Sequence, residues 1–358
     1  MEMSRKVSYL LSFICLFVIP NVFSAVPSEQ VFKFPILMPH VQPKQNETYL
    51  CTAFHLPATQ HSYIVAFEPN ATMHTAHHIL VYGCGGPGYF ERDSPRAIWN
   101  CGEMAGSTAH YERGPVCRTR SQIIYAWARD APALTLPNGV GFKIGGKSGI
   151  KYLVLQVHYA DTSSFQDGTK TDASGIVLSL LPAKTKKYKV TKRAGVYLLG
   201  TGGMIPPKQT VHMETACRMR ENFVLHPFAF RTHTHKLGKV VTGYVIKDGE
   251  EQTWINIGRR DPLKPQMFYP ANKDIKIKKG DVLAARCTMY NFRDRVTYVG
   301  STGDDEMCNF YIMYYVEGDK IPSDNTCFSS GPPLYFWAGD QSIRNLPPSI
   351  DRDASSLE

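Results

Sequence analysis

The chain has 358 residues, 43% of them hydrophobic, with 40 Lys+Arg against 31 Asp+Glu and a formal net charge of +9. With 18 Phe and 19 Tyr it has ample material for a packed core, and it shows neither a collagen glycine period nor long heptads, so disorder, collagen and coiled coil are excluded. The length predicts two domains, because a single core rarely grows past about 250–300 residues.

Arg5-Lys6 precedes an apolar run from Val7 to Pro20, and small residues follow at Ser24-Ala25. This is the pattern of a secretory signal peptide over 1–24. The run is shorter than the roughly 20 residues that a membrane span needs, so a soluble mature chain without an anchor is expected. The sequons Asn46-Glu47-Thr48 and Asn70-Ala71-Thr72 suit a secreted glycoprotein. Of the nine cysteines, Cys15 leaves with the signal. An even number remains in an oxidising compartment, which predicts disulfides, although the count does not give the connectivity. Four cysteines lie before residue 120 and four after 215, which suggests two separately stapled domains.

The leader also carries Glu2, Arg5 and Lys6, a net of one positive charge, so the mature chain holds about +8. Its densest basic run, Lys184 to Lys192, falls where a linker is expected and reads as solvated chain, so nucleic acid is not an expected partner.

Short runs rich in Val, Ile, Tyr and Phe recur between turn signals. Strands are predicted at 63–67, 77–82, 152–159, 176–181, 239–246, 282–287 and 310–316. Asn138-Gly139, Gly145-Gly146 and Asp248-Gly249 mark turns. No long segment keeps a helical period. The fold class is all-β, with two antiparallel β-sandwich (jelly-roll-like) domains at 25–183 and 184–345 and a polar tail at 346–358. Gly83 to Gly88 satisfies G-x-G-x-x-G, but Cys84 and Pro87 occupy it and no helix is expected to open there. It reads as a disulfide-bearing turn.

The histidines carry the chemistry. His233 and His235 lie in a run, 228–241, that reads as extended; residues i and i+2 of a strand share a face, so two imidazoles can chelate one ion. Arg231 falls on the same face. His77 and His78 are adjacent, so a regular strand would point them apart, and joint ligation needs irregular chain. His158 follows Gln156 on an otherwise apolar strand and reads locally as a buried, hydrogen-bonded residue. If 307–313 is extended, Met307, Asn309, Tyr311 and Met313 share a face. Met307 is either core or a thioether ligand, and a thioether beside two imidazoles favours copper over zinc.

Six ordered blocks resemble peptidylglycine α-hydroxylating monooxygenases, of the copper type II, ascorbate-dependent family. They begin at His77-His78, Tyr125, Leu155, Arg231, Asp281 and Asp305 and run within 35–327. The resemblance implies two jelly-roll-like domains, each with a copper ion, facing a solvent-filled cleft. It implies His77, His78 and His158 as ligands of an electron-transfer copper, which replaces the local reading of His158. It implies His233, His235 and Met307 as ligands of the copper where O2 reacts, and Arg231, Asn309 and Tyr311 as the grip on the substrate carboxylate. The implied activity is hydroxylation of the terminal glycine Cα of Gly-extended peptides in the secretory lumen or granules, with ascorbate as electron donor. The implied disulfides are Cys51–Cys101, Cys84–Cys117, Cys217–Cys327 and Cys287–Cys308, and a fifth family disulfide is missing where Asp172-Ala173-Ser174-Gly175 stands. After residue 327 little chain remains, so a monofunctional, monomeric enzyme with a separate lyase downstream is expected. The rival reading is dopamine β-monooxygenase, which shares both copper sites but should lack the carboxylate anchor.

Overall fold

The computed structural model describes residues 31–89, 98–102, 111–183, 185, 189–300 and 302–357. The leader at 1–24 lies outside these residues, as do 184 and 186–188 of the basic run 184–192.

Tyr152–Tyr159 (YLVLQVHY) is buried at every position but its first. Apolar side chains on both faces suit an interior strand, and it lies between Thr48–His55 and His78–Pro87 in a five-stranded sheet. Cys117–Ala128 and Ile98–Asn100 complete that sheet at its two edges. A four-stranded antiparallel sheet is built from Thr210–Arg218, Val282–Tyr290, Gly238–Lys247 and Thr253–Arg260. Between them runs a ten-stranded sheet, which includes His226–His233, Asn309–Glu317 and Lys192–Thr201. Its strands come from both halves of the chain: Lys192 and Arg193 pair in parallel with Val140 and Gly141.

Each outer sheet packs on the central one through aromatic cores. Phe67 of the central sheet stacks on Tyr125 of the five-stranded sheet at 4.3 Å between ring centroids, and within the central sheet Phe230 stacks on Phe310 at 5.6 Å against the four-stranded sheet. The second stack requires glycine on the facing strands: a Cβ at Gly243 would meet the Phe310 ring at 2.2 Å, and one at Gly258 the Phe230 ring at 2.2 Å. Four disulfides join Cys51–Cys101, Cys84–Cys117, Cys217–Cys327 and Cys287–Cys308, with Cα–Cα distances of 5.4 to 5.9 Å. All four match the pairing implied by the resemblance.

The seven predicted strands are all present, and several run a residue or more further at either end. One reading is corrected here. The glycine run at 83–88 is strand through Pro87 rather than a turn, because Cys84 and Gly86 stay in register with Ser121 and Thr119. The C-terminal segment carries an α-helix, Pro348–Ser355, which docks where Asp351 meets the buried Arg286 at 2.7 Å. No helix among the described residues is long and apolar enough to cross a membrane.

Candidate metal centre and substrate cavity

Two neighbouring strands bring the first three histidines together. His78 opens its strand and pairs directly with His158. His77 stands one residue before the strand begins, and its backbone N–H donates to His158 O at 2.9 Å. It therefore escapes the alternation that would point adjacent side chains apart. His158 Nδ1 lies 3.3 Å from Nδ1 of His77 and 3.3 Å from Nδ1 of His78. Two nitrogens about 2.0–2.1 Å from one ion, at a near-tetrahedral angle, stand ~3.3 Å apart. All three donor atoms lie within 4.8 Å of one another.

The surroundings select the His158 nitrogen. His158 donates its Nε2–H to Glu47 Oε2 at 2.7 Å, which leaves Nδ1 as the lone pair. Tyr49 stacks on the same ring at 4.0 Å, so the imidazole cannot turn. Desolvation, then the neighbouring His158, holds the His77 pKa down at about 4, and burial lowers those of His78 and His158. Neutral imidazoles at ordinary pH are the form that binds metal.

The second group forms on the central sheet. His233 ends its strand directly opposite Asn309, and Arg231 stands opposite Tyr311. Strand alternation therefore places all four on one face. His235 does not lie on that strand: the chain bends at 235–237 before Gly238–Lys247 begins. This corrects the reading of 228–241 as one extended run, and Glu306 is the physical reason. Its wholly buried carboxylate accepts the backbone N–H of Lys236 at 3.0 Å, of Leu237 at 2.7 Å and of Met307 at 2.9 Å, and that of His235 as well. One carboxylate thus clamps the histidine turn to the methionine.

The rings of His233 and His235 remain close, at 5.4 Å between centroids. His233 donates Nδ1–H to Gln266 Oε1 at 2.7 Å, and His235 donates Nδ1–H to Asp305 O at 3.1 Å. Both rings thereby keep Nε2 as the lone pair, the opposite nitrogen from the first group. The Gln266 orientation is fixed by its amide, which donates to Thr234 O at 3.1 Å and Pro262 O at 3.0 Å. Met307 precedes the strand Asn309–Glu317, and Asn309 Nδ2 lies 3.8 Å from its sulfur.

Arg231, His233, Met307, Asn309 and Tyr311 line one cavity of about 700 Å³. Arg231 is only 2% exposed; its Nε donates to Gln266 O at 2.9 Å and its guanidinium faces the Tyr311 ring at 5.2 Å. Burial pulls its pKa below the ordinary arginine value, while Tyr311 acts the other way. No described carboxylate makes an ion pair with it.

The two histidine groups are neighbours rather than facing walls of a wide cleft: the His78 and His233 rings are 6.0 Å apart. Contacts between the two halves draw them together, among them Arg129 Nη1 donating to Leu263 O and Tyr125 against Phe268 at 6.1 Å.

Glu47, Gln266 and Glu306 escaped the sequence reading. Glu47 sits inside a sequon, Gln266 in a proline-rich loop and Glu306 in the acidic run 304–306, and each of those contexts predicts solvated surface. The only signal for Glu306 was its place next to Met307.

His158, His233 and His235 each have one ring nitrogen committed to a hydrogen-bond partner and the other left as a donor, and the second group adds a soft thioether nearby. With every described thiol committed to a disulfide, that donor set suits copper. Residues 34–166 and 192–340 match the N-terminal and C-terminal domains described as copper type II ascorbate-dependent monooxygenase. The chain belongs to this family, whose cofactors are copper and ascorbate. It is 40% identical over 330 residues to peptidyl-glycine alpha-amidating monooxygenase A of Xenopus laevis, covering 91% of this chain and 32% of that protein. It is 40% identical over 325 residues to the Mus musculus peptidyl-glycine alpha-amidating monooxygenase, covering 90% of this chain and 30% of the relative. To human dopamine beta-hydroxylase it is 30% identical over 315 residues, covering 83% of this chain and 48% of that protein. The chain spans about a third of the length of its amidating relatives.

Proposed function

We propose that this chain hydroxylates the α-carbon of the C-terminal glycine in Gly-extended peptides, the first step of peptide amidation, within the secretory pathway. The observation that carries this reading is the buried Arg231 guanidinium beside His233 and Met307. A desolvated cation without a counter-ion is costly and calls for an anionic ligand. A carboxylate suits its planar fork, with Asn309 and Tyr311 on the same face.

In this reading His77, His78 and His158 hold one copper through Nδ1. His233 and His235 hold the other through Nε2, with Met307 as the third ligand. Copper supplies one-electron redox chemistry and oxygen activation when bound. The remaining work belongs to the side chains. Arg231 fixes the terminal carboxylate, and the Cα is one bond from it, so the anchor also fixes the C–H that must react. Glycine has no Cβ to intervene between that C–H and the second metal group, which accounts for its selection. Gln266 links the two functions, since its carbonyl oxygen meets both His233 Nδ1 and, at 3.3 Å, Arg231 Nη2. Ascorbate supplies two electrons, one oxygen atom enters the glycine, and the other leaves as water. The α-hydroxyglycine product then needs a lyase step that releases glyoxylate.

An amine substrate of the dopamine type fits poorly, because the wall beside the second histidine pair is cationic. A substrate panel tests the reading. Copper-loaded protein with ascorbate and air should oxidise a Gly-extended peptide and leave the Ala-extended peptide and dopamine untouched. Oxidation of dopamine in preference to the glycine peptide would overturn it.

A further inference from the structure

The two histidine groups face two cavities. His78 and His233 line both and so form part of the wall between them. Arg231, Asn309, Tyr311 and Met307 belong to the larger cavity alone. On the other side lies a cavity of about 170 Å³, reached by His77, His158 and His235 and rimmed by Glu47, Arg129 and Lys236. Pockets for drug-sized ligands run to about 300–1,000 Å³, so this one takes a small molecule rather than a peptide. Alanines 128 and 160 are its only apolar side chains, and the other side chains that line it are polar or charged.

The backbone is distorted around this same cavity. Glu47 has φ 56°, Arg129 φ 52° and the following Asp130 φ 53°, all non-glycine residues in the left-handed region. Such strain persists only where surrounding contacts enforce it, and it gathers at functional sites. The contacts are visible. Asp130 Oδ1 accepts the Met73 N–H at 2.8 Å, Glu47 Oε2 accepts from His158 at 2.7 Å, and Arg129 donates one of its five N–H groups to Leu263 O. The rest of the Arg129 fork and the exposed Lys236 ammonium leave the rim cationic. His77 is the exposed member of its group, and it lies in this cavity and not in the larger one.

We propose that this small cavity docks the ascorbate anion, with Arg129 and Lys236 taking its charged enediolate edge and the ring lying against His77. Glu47 then accepts from a ligand hydroxyl. The inference rests on reading the histidine groups as the copper sites of the proposed reaction. It adds that reductant and peptide reach those groups from opposite sides of the His78–His233 wall and bind without competing.

The test uses the full chain loaded with copper, fully reduced and kept free of oxygen, so that ascorbate binds without being consumed. Saturation-transfer NMR follows ascorbate, and calorimetry follows a Gly-extended peptide in the same samples. Saturable ascorbate binding is expected, unchanged by saturating peptide. Arg129→Gln should weaken it roughly tenfold, the loss of one charge-assisted contact, and should leave peptide affinity within about twofold. Because Arg129 also bridges the two halves, Lys236→Glu on the exposed turn provides a second variant with the same expected direction. Displacement of ascorbate by peptide, absence of saturable binding, or unchanged ascorbate affinity in the folded variants would each overturn the proposal. Ascorbate binding without any peptide binding would uphold this site and refute the amidation reading instead.

Discussion

Replacing Arg231 by methionine separates anchoring from folding. Arg231 is 2% exposed, and its guanidinium donates to Gln266 O at 2.9 Å and Gln266 Oε1 at 3.3 Å and meets Tyr311. Losing those charge-assisted donors costs the free protein about 1.5–3 kcal/mol each. Removing a desolvated cation returns a comparable amount, because well-packed apolar replacements of buried charges are often neutral or better. The melting temperature of Arg231→Met should therefore stay within a few degrees of wild type. Peptide binding behaves differently. Truncating one side of a buried, hydrogen-bonded charge pair costs about 2–5 kcal/mol, and ~3 kcal/mol is roughly 150-fold in affinity. The assay is calorimetric titration with a Gly-extended peptide and with its C-terminal methyl ester. Wild type should prefer the free acid by about two powers of ten, and Arg231→Met should show no preference. Retained preference in the variant would refute the anchor. Equal loss of acid and ester would show general damage to the cavity and would refute the reasoning as well.

Met307→Ala should abolish turnover and lower copper content from two ions toward one, read by metal analysis, with the three-histidine group still loaded. Gln266→Leu removes the acceptor that orients His233, and it should weaken copper binding at the second group by about 10–100-fold in competition with a chelator. Paired Cys287→Ala and Cys308→Ala substitutions open a link across 21 residues next to Met307, which should lower unfolding free energy by ~3 kcal/mol in denaturant titration. Acid should destabilise the metal-free protein. The His77 pKa is held at about 4 against an ordinary value of 6.5, and those of His78, His158 and His233 are lowered too. Between those values the unfolded chain binds protons that the folded chain does not, so stability is complete above pH 6.5 and falls as pH drops toward 4. A melting temperature that is flat or rising over that interval would contradict the burial of these rings.

Strands were legible because alternation and turn residues are local signals: Tyr152–Tyr159 was bounded without error, and Asp248-Gly249 marked its hairpin. The placement of Arg231, Asn309 and Tyr311 on one face followed from parity, and the register Arg231↔Tyr311 and His233↔Asn309 bears it out. What failed to show was non-local. The bend at 235–237 depends on Glu306, some seventy residues away. The Gln266 side chain gains its meaning only when a loop folds back over His233. The helix Pro348–Ser355 forms on a buried arginine that its own short sequence gives no reason to expect.

The most direct test of the central claim is a single set of turnovers under isotopically heavy dioxygen. Copper-loaded protein, ascorbate and a Gly-extended peptide should give a product with one heavy oxygen on the glycine α-carbon, located by fragment mass spectrometry. Light oxygen at that carbon, or heavy oxygen on any other residue of the peptide, would contradict the account.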